Sequence, residues 1–200
     1  MAVELRKGQK ICLSKSVESG GEIVINLNWN QKSESSGFLS GLFGGNKGID
    51  LDLGAFVELN DGSRHVVQAL GNAFGNVNQP PYVALDGDDR TGEAEGGENL
   101  RVNGKMSTNI NRILVYTFIY EGATNWQQAD GVVTIKCPGS EDVVVRMDEH
   151  NNALGMCAIA QISRDSDGFS VEKIVRFFDG HKQLDSAFGW GFTWQPGSKD

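Results

Sequence analysis

Proline and cysteine are scarce in this 200-residue chain, with four and three copies. No Pro/Ser-rich stretch marks a linker and no segment repeats, so one domain over residues 1–200 is the economical reading. Cys12, Cys137 and Cys157 form no CxxC pair, which removes the usual cysteine metal and redox sites. They read as small buried thiols of a reducing compartment. No apolar run approaches the roughly 20 residues of a membrane-spanning helix. The opening MAVELRKGQKICL lacks the apolar centre of a secretory signal, so the cytoplasm is the expected location. Cations are outnumbered: 18 Lys and Arg face 26 Asp and Glu, for a net charge of −8, with no basic cluster. That balance argues against a nucleic-acid partner, whose phosphates are held by clustered Lys and Arg. The three histidines, His65, His150 and His181, are dispersed, with no zinc-ligand spacing, and each reads as a surface or turn residue. P-loop, GxSxG and GxGxxG signatures are missing too, so no enzymatic activity is expected.

Glycine, by contrast, is abundant, with 26 copies, and it punctuates a series of short β-type runs. Strands are expected over Glu22–Trp29, Ile49–Leu59, Asn111–Tyr120, Val132–Lys136, Val143–Met147, Leu154–Ser163 and Phe169–Phe178. Asn60-Asp61-Gly62 closes the second run with turn chemistry, and Asp167-Gly168 joins the last two as a hairpin. Asn111–Tyr120 is apolar on both faces, which predicts a central, covered strand. Helical periodicity is confined to short turns near Asn125–Ala129 and His181–Ala187. The fold class predicted is all-β: a β-sandwich of two antiparallel-type sheets with long Gly-rich acidic loops.

Two acidic segments carry the chemistry. In Gly48-Ile49-Asp50-Leu51-Asp52-Leu53 apolar and acidic residues alternate. On a strand, Asp50 and Asp52 share one face, roughly 7 Å apart. The run DGDDRTGEAEGGEN then sets Asp86, Asp88, Asp89, Glu93, Glu95 and Glu98 among glycines, which let a loop curl until its oxygens converge. A hard cation such as Ca²⁺ takes about 6–8 such oxygens. The loop is no EF-hand, since Thr91 stands at the sixth position from Asp86. The same acids also read as solvated loop charges that cap turns.

Two further stretches stand out. Residues 33–47 (SESSGFLSGLFGGNK) are rich in Ser and Gly yet hold Phe38, Leu39, Leu42 and Phe43 beside the Asp50/Asp52 strand. They form either a partner- or membrane-docking loop or a lid folded over one end of the sandwich. The run Phe188-Gly189-Trp190-Gly191-Phe192-Thr193-Trp194 has an aromatic at every second residue. On a strand its rings would share one face, as filling for the interior or, less simply, as a stacking platform.

The order and spacing of Leu5-Arg6-Lys7-Gly8-Gln9-Lys10, Leu27-Asn28-Trp29, Ile49-Asp50-Leu51-Asp52, Gly87-Asp88-Asp89-Arg90-Thr91-Gly92-Glu93 and Phe118-Ile119-Tyr120-Glu121 resemble the TerD family of tellurium-resistance and stress proteins. Ala69–Asn76, Gln79-Pro80-Pro81-Tyr82 and Gly189-Trp190-Gly191 resemble its TerA branch. The resemblance implies a β-sandwich that binds Ca²⁺ through Asp50, Asp52, Asp88, Asp89, Glu93 and Glu98. Gly97 and Asn99 stand where the family pattern has acids, which weakens the site on that side. Expected partners are other stress-response proteins and a membrane-associated complex, which would place the chain peripherally at the inner membrane without a transmembrane segment. The rival expectation is a protein-interaction scaffold whose cation site has degenerated. A chain of charge −8 repels tellurium oxyanions, so resistance would be indirect.

Overall fold

A computed structural model describes residues 2–13, 21–30, 49–86, 96–122, 124–166 and 168–197. The strands are β1 (Ala2–Glu4), β2 (Lys10–Cys12), β3 (Ile23–Asn28), β4 (Asp50–Leu59), β5 (Arg64–Val67), β6 (Gly75–Asn76), β7 (Val83–Leu85), β8 (Glu98–Val102), β9 (Ile110–Glu121), β10 (Val132–Lys136), β11 (Asp142–Arg146), β12 (Met156–Asp165) and β13 (Gly168–Phe178). Two short helices, α1 (Trp126–Ala129) and α2 (His181–Phe188), complete the set. The strands form a seven-stranded sheet, ordered β1-β11-β10-β3-β8-β7-β6, and a six-stranded sheet, ordered β2-β13-β12-β9-β4-β5. Among the described strands the β1–β11 pairing is parallel and all other pairings are antiparallel. This is the expected sandwich.

The period-two pattern decides which residues fill it. Ile23, Ile25 and Leu27 of β3 and Leu100 and Val102 of β8 meet Leu51, Leu53, Ala55 and Val57 of β4 and Ile113 and Val115 of β9 between the sheets. The central position expected for Asn111–Tyr120 is observed: β9 lies between β4 and β12. Its other face is covered as well. Leu114, Tyr116 and Phe118 join Phe56, Met156, Ala158, Phe178, Leu184 and Trp190 in a second, outer apolar cluster. The cover is α2 and the tail after it. The segment at Asn125 becomes α1 because the Asn125 side chain accepts the Gln128 N–H at 3.1 Å, an N-cap that holds one turn of helix. The helix α2 ends at Gly189, whose left-handed φ of 68° suits glycine.

Several elements escaped the sequence reading. β1, β2, β5, β6 and β7 have at most four residues, too short to show a period. The β8 strand begins inside the acidic run, at Glu98. The terminal aromatics are not on a strand: Phe188 ends α2 and residues 190–197 are irregular. Their rings do not fill the interior between the sheets, as the sequence suggested, but cover the outer apolar cluster on the far face of β9 and β4.

Candidate functional site

Asp50 and Asp52 lie on β4, which passes the start of β8, where Glu98 stands. Along β4, Leu51 and Leu53 enter the inter-sheet core while Asp50, Asp52, Gly54 and Phe56 point to the opposite face. Asp50 is half-buried and stands opposite Glu121 on β9. Asp52 is fully buried, and Glu98 is only 3% exposed. Glu98 Oε2 accepts the Leu53 N–H at 2.6 Å, and that N–H belongs to the peptide joining Asp52 to Leu53. The strand β5 pairs with Ala55–Glu58 and stops short of Leu53, so Glu98 satisfies a donor that β5 leaves uncovered. The acidic run thus bonds to the backbone of the aspartate-bearing strand at Leu53, 45 residues away in sequence. Burying a carboxylate is costly unless charge or hydrogen bonds compensate it. Asp88, Asp89 and Glu93 lie outside the described residues, as do Phe38, Leu39, Leu42 and Phe43. Among the described residues, no three of His, Cys, Asp and Glu are grouped to hold a metal ion.

The neighbours of Glu98 have structural tasks. At Gly97, with φ of +69°, an added Cβ would lie 2.0 Å from the Leu27 carbonyl oxygen, so no side chain fits. Asn99 pairs with Asn26 directly across the ladder, and the Asn26 amide donates to Asn99 Oδ1 at 3.0 Å and to the Gly96 carbonyl. Asp86, at the other end of the run, is engaged by Arg101, whose Nε lies 2.5 and 2.6 Å from its two oxygens. Arg101 also reaches Glu22 at 2.5 Å, and hydrogen bonds to both acids raise its already high pKa. The acids that close this run in the family pattern are thus replaced here by residues that fit the β3–β8 seam.

Next to Asp52 on the same face, Gly54 leaves a slot that Tyr116 fills. A Cβ at Gly54 would lie 2.4 Å from Tyr116 Cε2 and 2.7 Å from its hydroxyl oxygen. The Tyr116 hydroxyl donates to Gln68 Oε1 at 2.6 Å. Burial, reinforced by the Asp52 charge, pushes its pKa well above the ordinary tyrosine value. His181 Nε2 lies 2.8 Å from the same Gln68 oxygen, while the Gln68 amide donates to the Leu70 carbonyl at 3.1 Å. Burial lowers the His181 pKa to about 4, so the ring is neutral at neutral pH and donates Nε2–H. It packs against Phe118, Tyr116 and Trp194 at centroid distances of 5.2, 5.6 and 4.9 Å. The surface role expected for His181 is therefore corrected: α2 turns it inward onto the aromatic layer. Cys12 is corrected in the other direction. It is exposed on the edge strand β2, whereas Cys137 and Cys157 are buried.

One carboxylate organises the tail. Asp185 Oδ1 accepts the Gly191 N–H at 2.6 Å, and Oδ2 accepts the Phe192 N–H at 2.9 Å and the Trp194 indole N–H at 2.7 Å. Trp190, Phe192 and Trp194 then surround Phe56 at 5.0–5.6 Å, and Arg112 lies 4.1 Å over the Trp190 ring. Tyr116, Gln68 and Asp185 were not singled out from the sequence. The available signal was Gly54, because a glycine inside a strand marks a close approach by something bulky.

Comparison with known proteins agrees with this architecture. Residues 1–168 match the TerD domain. The chain is 52% identical over 179 residues to the tellurium resistance protein TerA of Alcaligenes sp, covering 90% of this chain and 53% of that protein. It is 30% identical over 124 residues to the stress response protein SCP2 of Bacillus subtilis, covering 60% of this chain and 62% of the relative. The chain thus spans little more than half the length of these relatives. In fold it is similar to the crystal structure of a TerD homologue from Streptomyces coelicolor, with a TM-score of 0.53, 18% identity and coverage of 82% of this chain and 94% of the other. The sandwich, the strand aspartates and these matches agree: the chain belongs to the TerD-domain family of tellurium-resistance and stress-response proteins.

Proposed function

We propose that this chain is a calcium-linked, non-enzymatic interaction module of the stress response. The observation that supports the reading is the bond from Glu98 to the peptide between Asp52 and Leu53, which ties the acidic run to the strand that carries Asp50 and Asp52. The donors there are all oxygen, which suits a hard cation and not zinc or copper. Asp50, Asp52 and Glu98 would hold the ion together with Asp88, Asp89 and Glu93 of the acidic run. Bound Ca²⁺ would supply positive charge that relieves carboxylate repulsion and orders the loops presented to partners. Gly97 and Asn99, occupied with packing, supply no carboxylate, so one ion is expected instead of two.

The non-enzymatic part rests on how the polar groups are used. Clefts on either side of Trp194 are lined by His181, Lys182 and Asp185. Asp185 is committed to three tail donors and His181 to Gln68, so among the described residues of these clefts neither is left to act as an acid or base on a substrate. Among the described residues no helix is long and apolar enough to cross a membrane, so contact with a membrane-associated complex would be peripheral.

The test is calorimetric titration with Ca²⁺ alongside thermal unfolding. Free Ca²⁺ at 100 times its Kd is expected to add about 2.7 kcal/mol of stability, and Asp52→Asn to remove most of it. Identical melting curves in millimolar Ca²⁺ and in EDTA would refute the reading and favour the degenerate scaffold. Stoichiometric zinc in protein purified without added metal would refute the oxygen-ligand assignment.

A further inference from the structure

The cap formed by α2 and residues 190–197 belongs to neither sheet and supplies nothing to the core between them. It rests on the outer aromatic layer, where Leu184 and Trp190 meet Phe56, Tyr116, Phe118 and Phe178. Removing it would leave the described strand pairings in place. A unit of that kind opens by itself, at a cost below that of unfolding the sandwich. Arg64 and Arg112 hold its far end, through the carbonyls of Phe188, Gly189 and Trp190. Two features weigh against firm docking. The Trp190 indole N–H is buried with no hydrogen-bond partner among the described residues, a penalty that docking carries and release relieves. His181, the first residue of α2, sets its ring among Tyr116, Phe118 and Trp194, and its Nε2 meets the neutral Gln68 amide oxygen.

We propose that the cap is an acid-released cover: protonation of His181 drives α2 and the tail off the outer aromatic layer while the two sheets stay closed. This is independent of the calcium reading. An imidazolium packed among rings needs a carboxylate to offset its lost hydration. β9 presents Tyr116 and Phe118 to the ring, the corner after β5 presents Gln68, and residues 190–197 carry no charged side chain. Asp179 and Lys182 line the cleft beside the ring but do not bond it, and Asp185 is spent on its three tail donors. The Asp52 charge on β4 acts on Tyr116. On His181 itself burial is what acts, and it holds the folded pKa at about 4 against an ordinary 6.5. With a folded value below the free one, the lifted cap takes up the proton first. Docking is at full strength above pH 6.5, weakens as pH falls, and has lost all of this contribution below pH 4.

The test is amide hydrogen exchange on the full chain at pH 7 and pH 5, corrected for the intrinsic pH dependence of exchange. The reporters are the Leu184 and Trp190 amides, bonded to the Gly180 and Asp185 carbonyls, because a helix of eight residues does not persist once lifted into water. Amides of the β9–β12 ladder report on the sandwich. The cap amides are expected to open more readily than the ladder amides at both pH values. Their opening constant should rise about twentyfold from pH 7 to pH 5, as the two His181 pKa values require. In His181→Gln, which keeps a side-chain N–H for Gln68, the rise should vanish. An NMR titration of the His181 ring in the wild type needs no variant, and its midpoint should lie well below 6.5. Equal opening of cap and ladder would show that the cap leaves only with the whole fold, and would overturn the proposal. A rise that survives His181→Gln, or a ring midpoint near 6.5, would overturn it by removing His181 as the trigger.

Discussion

Replacing Gly54 by alanine adds one methyl group, and the structure says what it meets. The new Cβ would stand 2.4 Å from Tyr116 Cε2, 2.5 Å from Cζ and 2.7 Å from the hydroxyl oxygen, all well inside van der Waals contact. The ring cannot simply swing aside. It is fully buried, packed edge-on against Phe56 at 4.8 Å and tethered through its hydroxyl to Gln68. Overpacking of this kind costs about 1–3 kcal/mol. For a domain of this size each kcal/mol lowers Tm by about 2–4 °C, so Gly54→Ala is expected to melt roughly 2–12 °C below the wild type. Differential scanning calorimetry reads the shift, and a double-mutant cycle tests its cause. Tyr116→Ala empties the slot and costs about 3–5 kcal/mol by itself, as expected for a large buried aromatic. In that background Gly54→Ala should cost less than about 0.5 kcal/mol, because the clash has gone. A Gly54→Ala protein that melts with the wild type, or an equal penalty in both backgrounds, would refute the account of the slot.

Two other expectations follow. His181 holds a pKa of about 4 against an ordinary 6.5, so the unfolded chain takes up its proton first as pH falls. Stability present above pH 6.5 should decline by about 2 kcal/mol by pH 5 and by about 3 kcal/mol below pH 4; His181→Gln should remove that slope in melting curves between pH 7 and 5, and an unchanged slope would show that the ring is not the source. For residues 33–47, co-sedimentation with anionic vesicles should require both Ca²⁺ and the rings, so that Phe38→Ser/Phe43→Ser loses binding at unchanged Tm; a loss of several kcal/mol of stability would instead place those rings in a core.

The alternation in Asp50–Leu53 was sufficient to assign faces, and the β4 strand obeys it, because a period of two survives any tertiary context that keeps the strand. The alternation could not show that the acidic face would be buried at Asp52, since the cover comes from elsewhere in the chain. Nor could spacing reveal that Glu98 turns toward Leu53. That contact depends on β8 standing opposite β4 in the other sheet. Gly97 and Asn99 looked like decay of an acidic motif, yet the carbonyl of Leu27 and the amide of Asn26 explain both locally. The terminal aromatics were legible as buried apolar surface from their size alone, while neither their irregular backbone nor their place outside the two sheets was. A single carboxylate, Asp185, organises that backbone, and one acid in a polar helix carries no signature.

The placement of the first residues bears on how the chain is made. β1 pairs with β11, joining Ala2 to Asp142, and β2 pairs with β13, joining Ile11 to Val171. The segment carrying β1 and β2 is thus shared between both sheets, and its partners are synthesised much later than it is. At translation rates of about 5–20 residues per second, it waits roughly 10–30 s for them. During that interval β3 and β4 can collect neighbours while β1 and β2 stay solvated, and both sheets are complete only once β13 has been made. A chain interrupted before residue 168 would keep β2 without its partner and leave an open strand edge on β12. Such edges recruit other chains. Premature termination should therefore yield aggregates in preference to a smaller folded product.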